Sequence, residues 1–174
     1  GRDKFSRFDV RYFLFKILYN KIYKKNKFNF IISREMASHF SETSCIFIPS
    51  IIDINNYEVN SGVTNQEKVK LIYFGTPFGK ENVTLMLNSF IDLVNNDDNF
   101  ELHFTGVTIE DFYQLEIYKN VKRYLNKSIF IHGWVEHSDM KKLVQESSFL
   151  FFIRDETHTN KYNFPTKLAE SFAM

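Results

Sequence analysis

Long apolar runs are missing from this chain. No stretch approaches the roughly 18 residues that a membrane-spanning helix needs, and nothing near residue 1 has the pattern of a cleavable signal. Cysteine is nearly absent: Cys45 alone cannot form an internal disulfide, which excludes a disulfide-built scaffold and fits a reducing compartment. An excess of one charge is missing too. Lys plus Arg number 22 against 21 Asp plus Glu, a net charge of +1 at pH 7, so the balance points to no nucleic-acid partner. The five histidines, His39, His103, His132, His137 and His158, show no paired metal spacing. Core, strand or loop roles are expected of them, and no metal.

What is present is the composition of a soluble globular protein, 174 residues with 44% hydrophobic and 25% charged, long enough for one core or for one and a half domains. Its charge is uneven, for residues 1–27 run from Arg2 to Lys27 with many basic residues and only Asp3 and Asp9 against them. Within that stretch Phe8, Tyr12, Phe15, Tyr19 and Ile22 recur at helical spacing, with Arg7, Arg11, Lys21 and Lys25 on the other side, which predicts a basic amphipathic helix. Three readings stand open for it: a solvated face on a remnant of another domain, a surface for an anionic membrane over residues 4–27, or a helix cut from its partners. The chain starts at Gly1 and stops at Met174 inside a helix-like pattern, so both ends are expected to be cut.

The rest alternates strand and helix. "NFIIS" (29–33) predicts a strand, "REMASHF" (34–40) a short helix with Ser33 as its N-cap, and "CIFIP" (45–49) a strand ended by Pro49. Residues 50–68 have no sustained period and are expected to be a linker between a remnant domain (1–49) and a second domain (69–174). "VKLIYFG" (69–75), "FELHFTG" (100–106) and "SIFIHG" (128–133) each predict an apolar strand closing on a glycine, and "FLFFI" (149–153) a fourth strand. Helices are expected at 83–94, around 109–125 and from Asp139, with Ser138 as N-cap. Short apolar strands alternating with helices predict a parallel sheet covered on both faces, an α/β Rossmann-like fold. Ligands of such sheets sit outside the carboxyl ends of the strands, where Gly75, Gly106 and Gly133 fall.

Two stretches carry the chemistry. "TPFGKEN", after the 69–75 strand, is a loop of a size to take phosphate, with Thr76, Gly79 and Lys80; alone, Gly-x-x-x-Gly-Lys is a weak motif and Lys80 an ordinary solvated lysine. "RDETHTNKYNFPTKLAESFAM" puts Arg154 at the end of the 149–153 strand, a polar loop holding His158, and a helix start at Pro165 whose free amides and dipole attract an anion. There Lys167 adds a mobile charge, Thr166 a hydroxyl, and Glu170, a turn further on, a carboxylate suited to a ribose diol. Arg154 reads equally as a surface ion pair, Glu170 as an exposed helix residue, and Trp134 as packing or as a flank for a base. Together these groups point to a nucleoside diphosphate.

Over residues 29–174 the chain resembles the family 4 glycosyltransferases, retaining enzymes of the GT-B fold. The likeness rests on "IISREMASHF", "IPSIID", "LIYFGTPFGKEN", "IFIHGWVEHSDMKKLV" and above all "FFIRDETHTNKYNFPTKLAESFAM". It implies a nucleotide-sugar donor held by Gly75, Thr76, Gly79, Lys80, Gly133, Trp134, Phe164, Pro165, Thr166, Lys167 and Glu170, with Lys80 and Arg154 stabilising charge on the leaving diphosphate. It further implies a glycan or lipid-linked acceptor, no cofactor or metal, a cytoplasmic location, and an acceptor domain of which residues 1–49 are a remnant. The chain departs from the family pattern at one place, for Glu170 matches the second of two glutamates eight positions apart while Tyr162 stands at the first. The alternatives are a GT-B nucleotide-sugar 2-epimerase and a non-catalytic doubly wound module. A receiver-type module needs acidic residues where this chain has glycine.

Overall fold

The computed structural model describes residues 10–21, 26–40, 44–52, 67–76 and 80–174. They divide into two compact units, one reaching to Ile51 and including Lys161–Phe164, the other made of Ile52–Asn160 and Pro165–Met174.

The first unit holds helix α1 (Val10–Lys21), strand β1 (Phe28–Ile31), a 3-10 helix at Arg34–Phe40 and strand β2 (Ser44–Phe47). β1 and β2 pair in parallel, with Phe28 opposite Ser44 and Ile31 opposite Phe47. Alternation along β1 buries Asn29 and Ile31 and exposes Phe28 and Phe30. The hydroxyl of Ser33, just ahead of the 3-10 helix, donates to the Tyr162 carbonyl at 3.0 Å. Of the apolar set predicted for α1, Phe8 and Ile22 lie outside the described residues, and the Tyr19 ring packs 6.4 Å from that of Phe40. Val10, Phe13, Leu14 and Leu18 are exposed on the same helix. No helix among the described residues is long and apolar enough to cross a membrane. Most of the expected linker, residues 53–66, lies outside the described residues.

The second unit is a four-stranded parallel sheet of β3 (Val69–Phe74), β4 (Phe100–Thr105), β5 (Ile129–Ile131) and β6 (Phe149–Leu150), in the order β5-β4-β3-β6. Successive side chains of β3 point to opposite faces, and both faces are apolar, as a sheet covered on two sides requires. Leu71 and Tyr73 join Leu102, Phe104 and Ile129 in a core with Met86, Leu87 and Phe90 of α2 (Val83–Asn96). Ile72 and Phe74 face the other way, against Met140, Leu143 and Val144 of α5 (His137–Gln145) and Met174.

The helix expected around 109–125 is broken into α3 (Ile109–Tyr113), α4 (Tyr118–Val121) and a 3-10 turn at Lys122–Tyr124. Phe112 and Ile117 are both buried. Between them the chain leaves the helix at Gln114 and resumes it at Tyr118. Thr108 begins α3 with a reciprocal capping box to Asp111. Ser138 lies inside α5 rather than capping it, because that helix starts two residues sooner, after Glu136. The polar loop after β6 contains a short helix, α6 (His158–Tyr162), which the polar sequence did not announce. The last helix, α7 (Thr166–Ala173), has Pro165 at its N-cap rather than in its first turn.

Chain order and strand order part company at β3. From β3 the chain moves outward through β4 to β5, then crosses back by α5 to β6 on the other side of β3. The crevice between the carboxyl ends of β3 and β6 is therefore the switch point of the sheet.

A second polar feature lies on the β4 and β5 strands. Glu101 Oε2 lies 3.3 Å from His103 Nε2, and His103 Nδ1 lies 3.0 Å from His132 Nε2. The carboxylate fixes the proton on His103 Nε2, leaving Nδ1 to accept from His132. Burial pushes both imidazoles below the ordinary histidine value; for His103 the Glu101 carboxylate opposes this, while His132 and Lys70 add to it. A depressed histidine binds its proton more readily in the unfolded chain, so stability must fall as the pH drops below the ordinary value of 6.5. Denaturant midpoints measured between pH 7.5 and 5.5 are expected to decline, and replacing both histidines with glutamine is expected to flatten that decline.

Candidate functional site

Three of the four strands of the sheet, β3, β4 and β5, run at their carboxyl ends into a backbone bend. Gly75, Gly106 and Gly133 all have positive φ, of 104°, 75° and 70°. That conformation carries a steric penalty for other residues. The bends interlock, since Gly75 N–H donates to the Thr105 carbonyl and Gly106 N–H to the Gly133 carbonyl. A Cβ on Gly106 would meet the Gly75 backbone at 3.0 Å, and one on Gly75 would stand 2.6 Å from Lys167 Cε. Gly75 thus makes room for the side chain of Lys167 to cross the end of β3.

Lys167 crosses there to reach Glu81. Its Nζ lies 3.1 Å from Glu81 Oε1, and Arg154 Nη2 lies 3.0 Å from the same oxygen. The Glu81 side chain is 3% exposed, against 15% for Arg154 and 16% for Lys167. Glu81 and Arg154 also pair as an isolated antiparallel bridge, so their side chains leave the backbone side by side. Burial alone would raise the Glu81 carboxyl, but hydrogen bonds and charge from Arg154 and Lys167 outweigh it and hold the group below the ordinary value of 4.5. Beneath the cluster, Lys167 Nζ stands 5.1 Å from the centre of the Tyr73 ring. Burial, helped by the Glu81 carboxylate, pushes the Tyr73 hydroxyl well above the ordinary tyrosine value. That hydroxyl stays neutral and faces the Thr76 carbonyl at 3.4 Å.

One carboxylate against two cations leaves the cluster a net positive charge. Arg154 also has donors to spare. Its guanidinium carbon sits 5.6 Å from the centre of the Phe152 ring, and its Nε and Nη1 are buried with no acceptor among the described residues. Leaving such donors unpaired costs about 1–3 kcal/mol each, more on a charged group, so an anion that accepted from them would be bound strongly.

The residues expected from sequence divide three ways. Arg154, Lys167 and Gly75 are brought together. Lys80 is exposed, and its side chain makes none of the described contacts of the cluster. Thr166 opens α7 and is exposed, whereas Glu170 is half-buried, one turn beyond Lys167. Gly133 and Trp134 follow β5, with Trp134 71% exposed. Phe164 groups with the first unit, and Gly79 lies outside the described residues. No group of three potential metal ligands occurs among the described residues.

Glu81, the centre of the cluster, is absent from the expected site, and Asn82 is its structural partner. The Asn82 side chain accepts from Leu85 N–H to cap α2, donates to Asp155 Oδ1 at 2.7 Å, and its backbone N–H donates to the Ile153 carbonyl. The signal for Glu81 was indirect. Two cations bound for one crevice need a buried anion, and Glu81 is the acidic residue nearest the end of β3.

Removing that anion should be costly. Glu81→Gln is expected to destabilise the chain by about 3 kcal/mol, the scale for breaking a buried pair. Because the folded carboxyl titrates lower than the unfolded one, its contribution is fully present above pH 4.5 and is lost as the pH falls below that value. Denaturation of wild type and Glu81→Gln should therefore differ by a constant amount near neutrality and converge in acid.

The chain matches no protein-family model and no curated relative. Among solved structures it is similar to TarM, with a TM-score of 0.57 and 13% identity over 84% of this chain. It is similar too to a mutant TarM from S. aureus in complex with fondaparinux, alpha-GlcNAc-glycerol and UDP, with a TM-score of 0.58 and 13% identity. The chain spans 29% of the length of either structure. At this identity the likeness establishes the fold alone: the parallel sheet and its helices are a Rossmann-like α/β arrangement.

Proposed function

We propose that this chain is the donor-binding part of a retaining nucleotide-sugar glycosyltransferase, and that the crevice between β3 and β6 holds the diphosphate of the donor. The observation that carries this reading is Arg154, whose Nε and Nη1 are buried at the switch point of a parallel sheet and lack acceptors among the described residues. Phosphate oxygens suit those donors in number, charge and planar geometry. Lys167 and the first-turn amides of α7 add positive potential from the same side. The presence of UDP and a glycosylated glycerol in the similar TarM structure supports a nucleotide-sugar donor and a sugar-bearing product.

Catalysis on this reading is electrostatic. As the bond between the anomeric carbon and the β-phosphate oxygen breaks, its electron pair stays with the diphosphate. Arg154 and Lys167 stabilise the growing charge without reorganising, because Glu81 already holds them. Lys80 supplies a mobile charge from the loop after β3, and Glu170 accepts hydrogen bonds from the ribose. Thr166 adds a hydroxyl donor, while Gly75, Gly133 and Trp134 line the rim where the nucleoside lies. The acceptor is a glycan or lipid-linked glycan brought by the rest of the enzyme. No metal is assigned, since the cationic side chains meet the diphosphate charge.

Calorimetric titration with UDP, GDP, ADP and CDP tests the assignment. At least one is expected to bind, with Arg154→Ala and Lys167→Ala each weakening it about tenfold or more. Glu170→Ala should weaken that nucleotide while leaving inorganic pyrophosphate unaffected. Failure of all four nucleotides to bind, or wild-type affinity in a folded Arg154→Ala variant, would overturn it.

A further inference from the structure

Two side-chain amides, those of Asn160 and Asn82, bind the loop after β6 to the loop after β3. Asn160 Nδ2 donates to the Lys80 carbonyl at 3.0 Å and to the Asp155 carbonyl at 2.9 Å. Its backbone N–H is held in turn by Thr157 Oγ1 at 3.2 Å. A neutral planar amide nitrogen has two hydrogens to give, and both are used here. The second tie, from Asn82 Nδ2 to Asp155 Oδ1, runs alongside.

The Lys80 carbonyl belongs to the peptide plane that leads into Glu81. Holding that carbonyl sets the peptide plane from which the Glu81 side chain departs, and Glu81 holds both Arg154 and Lys167. We propose that Asn160 is a positioning residue for the anion site: through the Lys80–Glu81 peptide it sets the place of the carboxylate and hence of the two cations. This rests on the nucleotide reading given above. Asn160 is half-buried and its bonds are exposed to water, so its effect falls on geometry more than on global stability.

The test uses inorganic pyrophosphate, together with whichever of the four nucleoside diphosphates binds wild type, measured well below the thermal midpoint. Asn160→Ala should weaken both ligands about fivefold, the scale of one or two modest hydrogen bonds. Asn160→Asp should weaken them more, since its carboxylate has no N–H and repels both carbonyls. A shared loss identifies the phosphate end as what is displaced. In a Glu81→Ala background, Asn160→Ala should have no further effect on pyrophosphate, the non-additivity expected of one chain of contacts. Asn160→Ser stands in if either variant fails to fold. Unchanged affinity in folded variants, or additive losses in the Glu81→Ala background, would reduce Asn160 to a structural tie. Wild type that binds neither pyrophosphate nor any of the nucleotides would instead sink the nucleotide reading, and the positioning role of Asn160 with it.

Discussion

One carboxylate oxygen organises the carboxyl end of this sheet. Glu81 Oε1 accepts from Arg154 in the loop after β6 and from Lys167 at the start of α7, two groups that approach from separate segments. Cations held so close, each about 15% exposed, would repel one another without it. Other features of the rim follow from this contact. Gly75 lacks a side chain where Lys167 passes, and Gly106 lacks one where Gly75 bends. The loops carrying Glu81 and Arg154 are pinned by a backbone bridge, by Asn82 and by Asn160.

A buried ion cluster of this kind adds little stability over a well-packed apolar one, because desolvation offsets most of the attraction. Its retention is better explained by what it leaves unsatisfied. An arginine used only as a structural tie would spend its donors on the protein, whereas Arg154 spends Nη2 on Glu81 and, among the described residues, keeps Nε and Nη1. The fold puts those donors at the switch point, where open parallel sheets bind ligands.

The sheet was legible in the sequence because strands buried on both faces read as continuous apolar runs, and "VKLIYF" and "FELHFT" became β3 and β4. "FLFFI" was legible as extended chain but not in extent, for only Phe149 and Leu150 join the ladder beside Leu71 and Ile72. The break between α3 and α4 was not legible, for the stretch around 109–125 reads as one helix. At the site, Arg154 and Lys167 stood out because each sits at the end of an element whose pattern is strong. Glu81 did not, since "GKEN" draws the eye to its lysine. Which of two neighbouring side chains turns inward is decided by the antiparallel bridge to Arg154, a contact 73 residues away in the chain. The histidine relay was hidden for a related reason: His103 and His132 are 29 residues apart and meet only when β4 and β5 take their register.

The claim that the unspent donors of Arg154 form the anion site can be read directly from the arginine side-chain Nε–H resonances in nitrogen-15 NMR. Adding a nucleoside diphosphate is expected to shift the Arg154 Nε–H signal downfield and slow its exchange with water, inorganic pyrophosphate should do the same, and the free nucleoside should not. An Arg154 signal that stays fixed while other resonances follow a saturating titration would place the nucleotide elsewhere and contradict the account.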